Sequence, residues 1–337
     1  MVARNSEAVR CAVVGLGRWG RVLVQSVRDS ERVRFVAGVS SRPHPDLEQV
    51  GIAIFPTLEE AVRSATIDAV VIASPHSAHP ADVRAACRAG KHVFVEKPLA
   101  LSVAEARASV EEAQRAGVVL AVGHNRRFLK AHEQLKAVIA EGRLGKLMHV
   151  DGTVAGPGAL AFRPDSWRSS RTESPLGGFT GMGVHILDTM IDLCGEVAAV
   201  SAQSNRSIIH IDIDDTTSLL LRFRSAMTGY LGCIAASAPF YSVRVFGSDA
   251  MAELLVRSWG YLRGRGSLTI ADRTEDFRLS EPAHVDLERA ELEAFAEAIT
   301  TGSPYRVDVP AVLNNIAVMQ AAEYSVSHDG VWAAVQS

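Results

Sequence analysis

The sequence predicts an α/β protein: an N-terminal Rossmann domain with a parallel sheet, then a C-terminal α+β domain with a large, mostly antiparallel open sheet. Three observations carry this expectation. From Val9 to about Asn125, short β-branched runs alternate with amphipathic stretches of helical length. Gly15-Leu16-Gly17-Arg18-Trp19-Gly20 directly follows the first such run and opens the first helical stretch. Beyond Asn125 the alternation stops and strand follows strand, with helical patterns at either end. A chain of 337 residues exceeds one typical core, and the change of pattern places two domains at 1–125 and 126–337.

In the first domain the strands read as Arg10–Val14, Val33–Val39, Ala69–Ala73, His92–Val95 and Val118–Val122. Helices are expected at Trp19–Asp29, Thr57–Ser64, Ala78–Ala89 and Val103–Ala116. Strands that are apolar throughout imply a sheet covered on both faces. Gly90 and Gly117, each directly after a helical pattern, are stop signals at left-handed positions. Ser102 with Glu105 three residues on reads as a capping box. In the second domain a helix at Phe128–Glu141 ends at Gly142, and a strand follows at Lys146–Val154. The stretch from Gly156 to Gly178, rich in Gly, Pro, Ser and Arg, reads as a long loop of the kind that carries function. A helix at Met182–Leu193 precedes several strands from Val197 to Val256 and a hairpin near Ser267–Ile270. Helices at Asp286–Thr301 and Pro310–Ser327 close the chain.

Composition excludes some functions. The net charge is −3, without a basic run, which argues against nucleic acid or an anionic membrane surface as a partner. Cys11, Cys87, Cys194 and Cys233 each lie in an apolar stretch and form no CxxC pair, so they read as buried thiols of a reducing cytoplasm. Met1 to Val9 lacks the apolar core of a signal peptide, and the longest apolar stretches are too short to span a membrane. No His, Cys or Asp cluster has metal-ligand spacing, so no catalytic metal is expected. The chain reads as cytoplasmic, with a small-molecule substrate.

The glycine-rich segment is a dinucleotide fingerprint. Gly15 permits the tight turn, Gly17 lets the backbone approach a pyrophosphate, and Gly20 lets helix and strand pack closely. Arg18 and Trp19 share the helix start, whose N–H groups suit phosphates. An NAD site commonly places an acid about 20 residues on, at the end of the second strand. Here that end reads Val39-Ser40-Ser41-Arg42, with no acid. Hydroxyls and a guanidinium suit a 2′-phosphate, so NADP is favoured over NAD. Ser74 and Pro75 end the next strand, where cofactor contact is expected. His76 lies beside them, and His79 is expected to pack or to cap the helix that follows.

Four further stretches complete a pattern: Gly90-Lys91-His92-Val93-Phe94-Val95-Glu96-Lys97-Pro98-Leu99, Gly123-His124-Asn125-Arg126-Arg127-Phe128, Trp167-Arg168, and Gly177-Gly178-Phe179-Thr180-Gly181-Met182-Gly183-Val184-His185-Ile186-Leu187-Asp188. With the fingerprint they resemble the glucose–fructose oxidoreductase/inositol dehydrogenase (Gfo/Idh/MocA) family over almost the whole chain. The resemblance implies hydride transfer between nicotinamide and a secondary alcohol or ketone of a sugar, cyclitol or related small molecule. It implies that Lys97 lies at the nicotinamide and transfers the hydroxyl proton, with Glu96 orienting it and Pro98 shaping a turn that is often cis. Oxidising an alcohol needs such a proton acceptor, and burial brings a lysine toward that role. The resemblance further implies that His185 shares the acid–base work, and places Arg126, Trp167, Arg168 and Thr180 at the substrate.

Asp188, three residues after His185, falls on the same helical face and either orients the imidazole or serves structure. Arg163, Arg168 and Arg171 in the long loop suit an anionic substrate group or a solvated surface equally, except that Trp167-Arg168 matches the family. One departure stands out: where the family commonly has an Asp four residues before the histidine, this chain has Gly181. That weakens the implication of ordinary polyol substrates. It leaves two alternatives open, glycoside cleavage through transient oxidation and elimination, and a non-catalytic dinucleotide sensor. The family commonly pairs through the open face of its second sheet, so a homodimer or homotetramer is expected, with the alternation of Leu219, Leu221 and Phe223 read as that face.

Overall fold

A computed structural model describes residues 8–63, 66–256, 266–274 and 277–336. It separates into two compact units. The first comprises Met1–Ala100, Ala104–Gly123 and Glu288–Asp308; the second comprises Leu101–Val103, His124–Leu287 and Val309–Ser337. The sequence reading gave all of 126–337 to the second domain, whereas Glu288–Asp308 belongs to the first unit. Burial explains the difference. Leu292, Phe295 and Ala296 of the helix Leu287–Thr301 join the core formed by Cys11, Val13, Leu23, Val71 and Phe94. The rings of Phe94 and Phe295 lie 5.8 Å apart. A helix whose apolar stripe matches a distant sheet carries no local sign of that partner.

The first unit's strands are β1 (Val9–Val14), β2 (Val33–Val39), β3 (Ala53–Phe55), β4 (Ala69–Ile72), β5 (His92–Glu96) and β6 (Leu120–Gly123). They form one sheet in the order β3-β2-β1-β4-β5-β6, parallel throughout. The order reverses between β1 and β4, which makes the carboxyl ends of those strands the ligand-binding crevice of an open α/β sheet. The helices are α1 (Arg18–Ser26), α2 (Pro45–Glu48), α3 (Leu58–Val62), α4 (His79–Arg88) and α5 (Val103–Ala116). Gly90 and Gly117 adopt φ of 68° and 66°, as their positions after helices predict. Thr57 caps α3 by accepting from Glu60 N–H. Of the expected helix Thr57–Ser64, Ser64 lies outside the described residues. The short β3 and α2 escape the sequence reading because neither is long enough to show a period.

In the second unit, α6 (Lys130–Ala140) and β7 (Leu147–Ala155) precede the long loop, which contains short 3₁₀ turns at Gly158–Ala161 and Trp167–Ser169. A π-helical turn, Phe179–Gly183, runs into α7 (Val184–Cys194). Then come β8 (Val197–Asn205), β9 (Thr216–Phe223), β10 (Thr228–Ile234), β11 (Phe240–Gly247), β12 (Ala250–Val256), β13 (Gly266–Asp272), β14 (Phe277–Ser280) and β15 (Ala333–Ala334). The sheet order is β14-β13-β12-β11-β7-β10-β9-β8-β15, antiparallel except where β7 lies parallel to β10. α7 crosses β7 closely: a Cβ at Gly152 would stand 3.0 Å from both Ile186 Cδ1 and Met190 Sδ. The helix Val309–Ser327 braces this layer, with Asn314 exchanging hydrogen bonds with the Val197 backbone and Asn315 donating to Val184 O. Leu219, Leu221 and Phe223 are buried, which corrects the expectation that their alternation marks the open face. Their neighbours Ser218, Leu220 and Arg222 point the other way, and Leu220 is 52% exposed. A period of two shows that a strand has two faces, not which one meets the helices.

Candidate active site

In the first unit the glycine-rich turn has the shape and the open N–H groups of a phosphate cradle. Gly15 has φ of 89°, and a Cβ there would lie 2.6 Å from Ala73 O. A Cβ on Gly20 would lie 2.1 Å from Gly15 O. Both glycines are therefore demanded by the protein's own backbone. Gly17 differs: nothing lies within 4 Å of an added Cβ, and its φ of −70° suits any residue. It precedes α1 as N-cap without a side-chain cap. Exposed N–H groups at a helix start, reached over a residue with no side chain, fit a pyrophosphate.

At the carboxyl end of β2, Ser40 Oγ accepts from Arg42 N–H at 3.0 Å and contacts His44 Nε2 at 2.9 Å. Arg21 Nη2 lies 2.9 Å from His44 Nδ1. The same guanidinium grips Asp46, Nη1 on Oδ2 and Nη2 on Oδ1 at 3.3 Å. Hydrogen bonding to Asp46 raises the Arg21 pKa, and the same bond lowers that of Asp46, so each keeps the other charged. Ser41 and Arg42 are exposed. The sequence reading missed Arg21, His44 and Asp46, since α2 brings the last two back toward α1 only in three dimensions.

The turns after β4 and β5 are tied together. His79, 1% exposed, places Nδ1 at 2.8 Å from Pro98 O and Nε2 at 3.0 Å from Ser74 O. Ser74 Oγ donates to Asp82 at 2.7 Å, and burial outweighs that bond to raise the Asp82 pKa. The Lys97–Pro98 peptide is cis. Glu96, 6% exposed, accepts from Trp19 Nε1–H at 2.5 Å. A Cβ on Gly123 would come within 3.4 Å of Glu96 Oε1, so β6 leaves room for this carboxylate. Trp19 thus links the phosphate cradle to the residue before Lys97, which is half-buried.

In the second unit His185 stands in the first turn of α7, half-buried, and its ring meets that of His124 edge-on with centroids 6.3 Å apart. Asp188 does not serve His185. It is fully buried and held by Arg127, Nε on Oδ2 at 2.9 Å and Nη2 on Oδ1 at 2.8 Å. Arg127 Nη1 also donates to Asp192 at 2.7 Å, as does Lys136 Nζ, and His132 Nε2 lies 2.7 Å from its other oxygen. Burial alone would raise Asp192, but His132, Arg127 and Lys136 together hold its carboxyl well below the usual range. His124 Nδ1 lies 3.8 Å from Asp188 Oδ2, so this network reaches the histidine pair. The recurrence of Asp188 and Asp192 four residues apart on one helix face was the available signal for it.

The loop arginines divide. Arg163 pairs with Asp165, and Arg171 with Asp212 and Asp214. Arg168 stacks on Trp167 with Cζ 4.1 Å from the ring centroid. Arg126 lies 5.9 Å over the ring of the buried Tyr241. Thr180, expected at the substrate, is fully buried, and its hydroxyl accepts from Leu176 N–H at 3.3 Å. That bond ties the hydroxyl to the loop backbone just before the π-helical turn. Gly181 is exposed, and an added Cβ would meet nothing within 4 Å. The space the family's aspartate would take is open. Among the described residues no group of three or more His, Cys, Asp or Glu has the arrangement of a metal site.

Residues 9–124 match the family model "Oxidoreductase family, NAD-binding Rossmann fold", and residues 132–253 match "GFO/IDH/MocA C-terminal domain". The chain belongs to the Gfo/Idh/MocA oxidoreductase family. Within that family it is 29% identical over 325 residues to scyllo-inositol 2-dehydrogenase (NAD(+)) of Bacillus subtilis, covering 91% of each chain. It is 27% identical over 315 residues to myo-inositol 2-dehydrogenase of Thermotoga maritima, covering 88% of this chain and 90% of that one. The crystal structure of aldose-aldose oxidoreductase from Caulobacter crescentus superposes with a TM-score of 0.84 at 23% identity, covering 97% of this chain and 99% of that one, a likeness of fold. The Gfo/Idh/MocA assignment makes the chain an oxidoreductase with a dinucleotide-binding Rossmann domain.

Proposed function

We propose that this Gfo/Idh/MocA oxidoreductase transfers a hydride between nicotinamide and a secondary alcohol or ketone of a sugar, cyclitol or related small molecule, with Lys97 and His185 handling the proton and NADP preferred to NAD. The carrying observation is the locked turn at the end of β5, where Trp19 of the phosphate cradle holds Glu96 directly before Lys97. The inositol dehydrogenases that align along most of the chain support a polyhydroxylated substrate. The Bacillus relative is named for NAD(+), so the NADP preference rests on this chain's own Ser40, Ser41 and Arg42.

In this reading Gly15, Gly17, Arg18, Trp19 and Gly20 hold the pyrophosphate, Ser40, Ser41 and Arg42 the 2′-phosphate, and Ser74, Pro75, Glu96 and Lys97 the nicotinamide ribose and ring. Arg126, Trp167 and Arg168 orient the substrate. The bound dinucleotide supplies the two-electron acceptor or donor. The Lys97 amine takes the hydroxyl proton during oxidation, and the ammonium returns it to the carbonyl oxygen during reduction. His185 hydrogen-bonds that oxygen and shares the proton. Lys97→Ala is expected to lower kcat by about 10²–10⁴ and dinucleotide affinity by a smaller factor, since the other cofactor contacts remain. A variant that retains full turnover on a sugar and cyclitol panel would refute the assignment.

No helix among the described residues is long and apolar enough to cross a membrane. We place the protein in the cytoplasm on its four unbonded cysteines, of which burial pushes Cys87 up to about 11. We propose a homodimer or homotetramer formed through the sheet face that bears Leu220 and Tyr230, 52% and 38% exposed. Light scattering that finds only a 36.1 kDa species would end this.

A further inference from the structure

The residues closest to the end of β2 carry a second layer that no fingerprint describes. Arginine has only donors, so His44 Nδ1 must accept from Arg21 Nη2. The ring proton of His44 then sits on Nε2 and is donated to Ser40 Oγ. Ser40 Oγ also accepts from Arg42 N–H, which fills both of its lone pairs. Its own O–H proton is what remains, and the hydroxyl is left as a donor. A donor serves a phosphate oxygen, and it also serves a ribose hydroxyl. The charge beside it therefore decides between them, and that charge belongs to Arg21 and Asp46.

We propose that the Arg21–Asp46 ion pair, relayed through His44 to Ser40, is the specificity switch for the 2′ end of the dinucleotide. Although α2 returns an acid to this end of the sheet, Arg21 occupies both of its carboxylate oxygens. In that state the Asp46 charge is compensated, which weakens both its repulsion of a 2′-phosphate and its pull on a 2′-hydroxyl. Releasing either partner exposes the other's charge. Asp46→Asn leaves the Arg21 guanidinium uncompensated beside Ser40, which attracts a 2′-phosphate. Arg21→Gln leaves the Asp46 carboxylate uncompensated, which repels a 2′-phosphate and takes the place of the acid that favours NAD. The inference deepens the cofactor reading proposed above, yet its sign pattern does not depend on which dinucleotide the wild type prefers.

The test is calorimetric titration of the full chain with NADP, NAD, 2′,5′-ADP and 5′-AMP, for wild type, Asp46→Asn, Arg21→Gln and Ser40→Ala. The ratio of NAD to NADP dissociation constants is expected to rise about five- to tenfold in Asp46→Asn and to fall by a similar factor in Arg21→Gln, the size of one surface charge acting on a phosphate. Ser40→Ala is expected to lower affinity for 2′,5′-ADP by more than that for 5′-AMP, because a charged phosphate oxygen is the stronger acceptor, and retained 5′-AMP binding verifies the fold of the site. If the two charge variants move the ratio in the same direction, or both leave it within twofold, the switch does not exist. A wild type that binds NAD more tightly than NADP overturns the cofactor preference alone, while opposite shifts in the two variants still establish the switch.

Discussion

Replacing Gly17 and Gly20 separately, each by alanine, divides the demands of the fold from the demands of the ligand. The methyl group of Gly20→Ala would sit 2.1 Å from Gly15 O, a backbone atom that cannot rotate away. The turn must open or α1 must lift from β1, at a cost of about 3 kcal/mol, the upper range for an overpacked site. For a chain of 337 residues that lowers the melting temperature by about 4 °C. The methyl group of Gly17→Ala meets no protein atom within 4 Å, and φ of −70° with ψ of −170° suits alanine. The modest N-cap preference for glycine over alanine is offset by the lower chain entropy of the unfolded state, so net stability changes by less than about 1 kcal/mol. The methyl group does occupy the space through which a pyrophosphate reaches the N–H groups of α1, and dinucleotide affinity is expected to fall at least about tenfold. Differential scanning fluorimetry of the ligand-free protein and calorimetric titration with NADP read the two effects independently. A Gly17→Ala protein that keeps both its melting temperature and its NADP affinity within twofold would refute the placement of the phosphate site.

Two other perturbations follow from the second unit. The Asp192 pKa in the folded protein lies below the unfolded value of about 3.9, so its stabilising contribution is complete above that pH and is lost as pH falls through the folded pKa. Asp192→Asn should cost about 3 kcal/mol at neutral pH, because Arg127 is left part-paired in the core, and it should flatten the loss of stability on acidification. Chemical denaturation curves for variant and wild type that run parallel from about pH 5 to pH 2 would contradict this. Gly181→Asp should fold normally, since the position is exposed and an added Cβ meets nothing within 4 Å, and should raise kcat/KM on neutral inositols by about tenfold, a modest acid–base contribution. A folded variant with no gain would show that the open position is not what restricts polyol turnover.

The parts of the site legible from sequence are those built from consecutive residues. Gly15 to Gly20 and Glu96 to Pro98 are each one turn at the end of one strand, so residue type and spacing carry their geometry. The periodicity of the strands in the first sheet likewise reports burial on both faces, as seen for β4, buried throughout. Where partners are distant, periodicity is silent. Nothing local in Leu292 or Phe295 names the Rossmann core as their destination, and nothing in Leu219 shows which side of its strand meets helices.

By itself the sequence determined the fold class, the dinucleotide fingerprint and the family, because each is written in short-range patterns of glycine, apolar period and motif. Only the tertiary structure decided that Asp188 answers to Arg127 and not to His185, that Thr180 turns inward, and that Arg21 and Asp46 meet beside Ser40. The physical reason is common to all three. A charged or hydroxyl side chain takes the partner that compensates its loss of water, and which partner is within reach depends on how strands and helices far apart in the chain are packed.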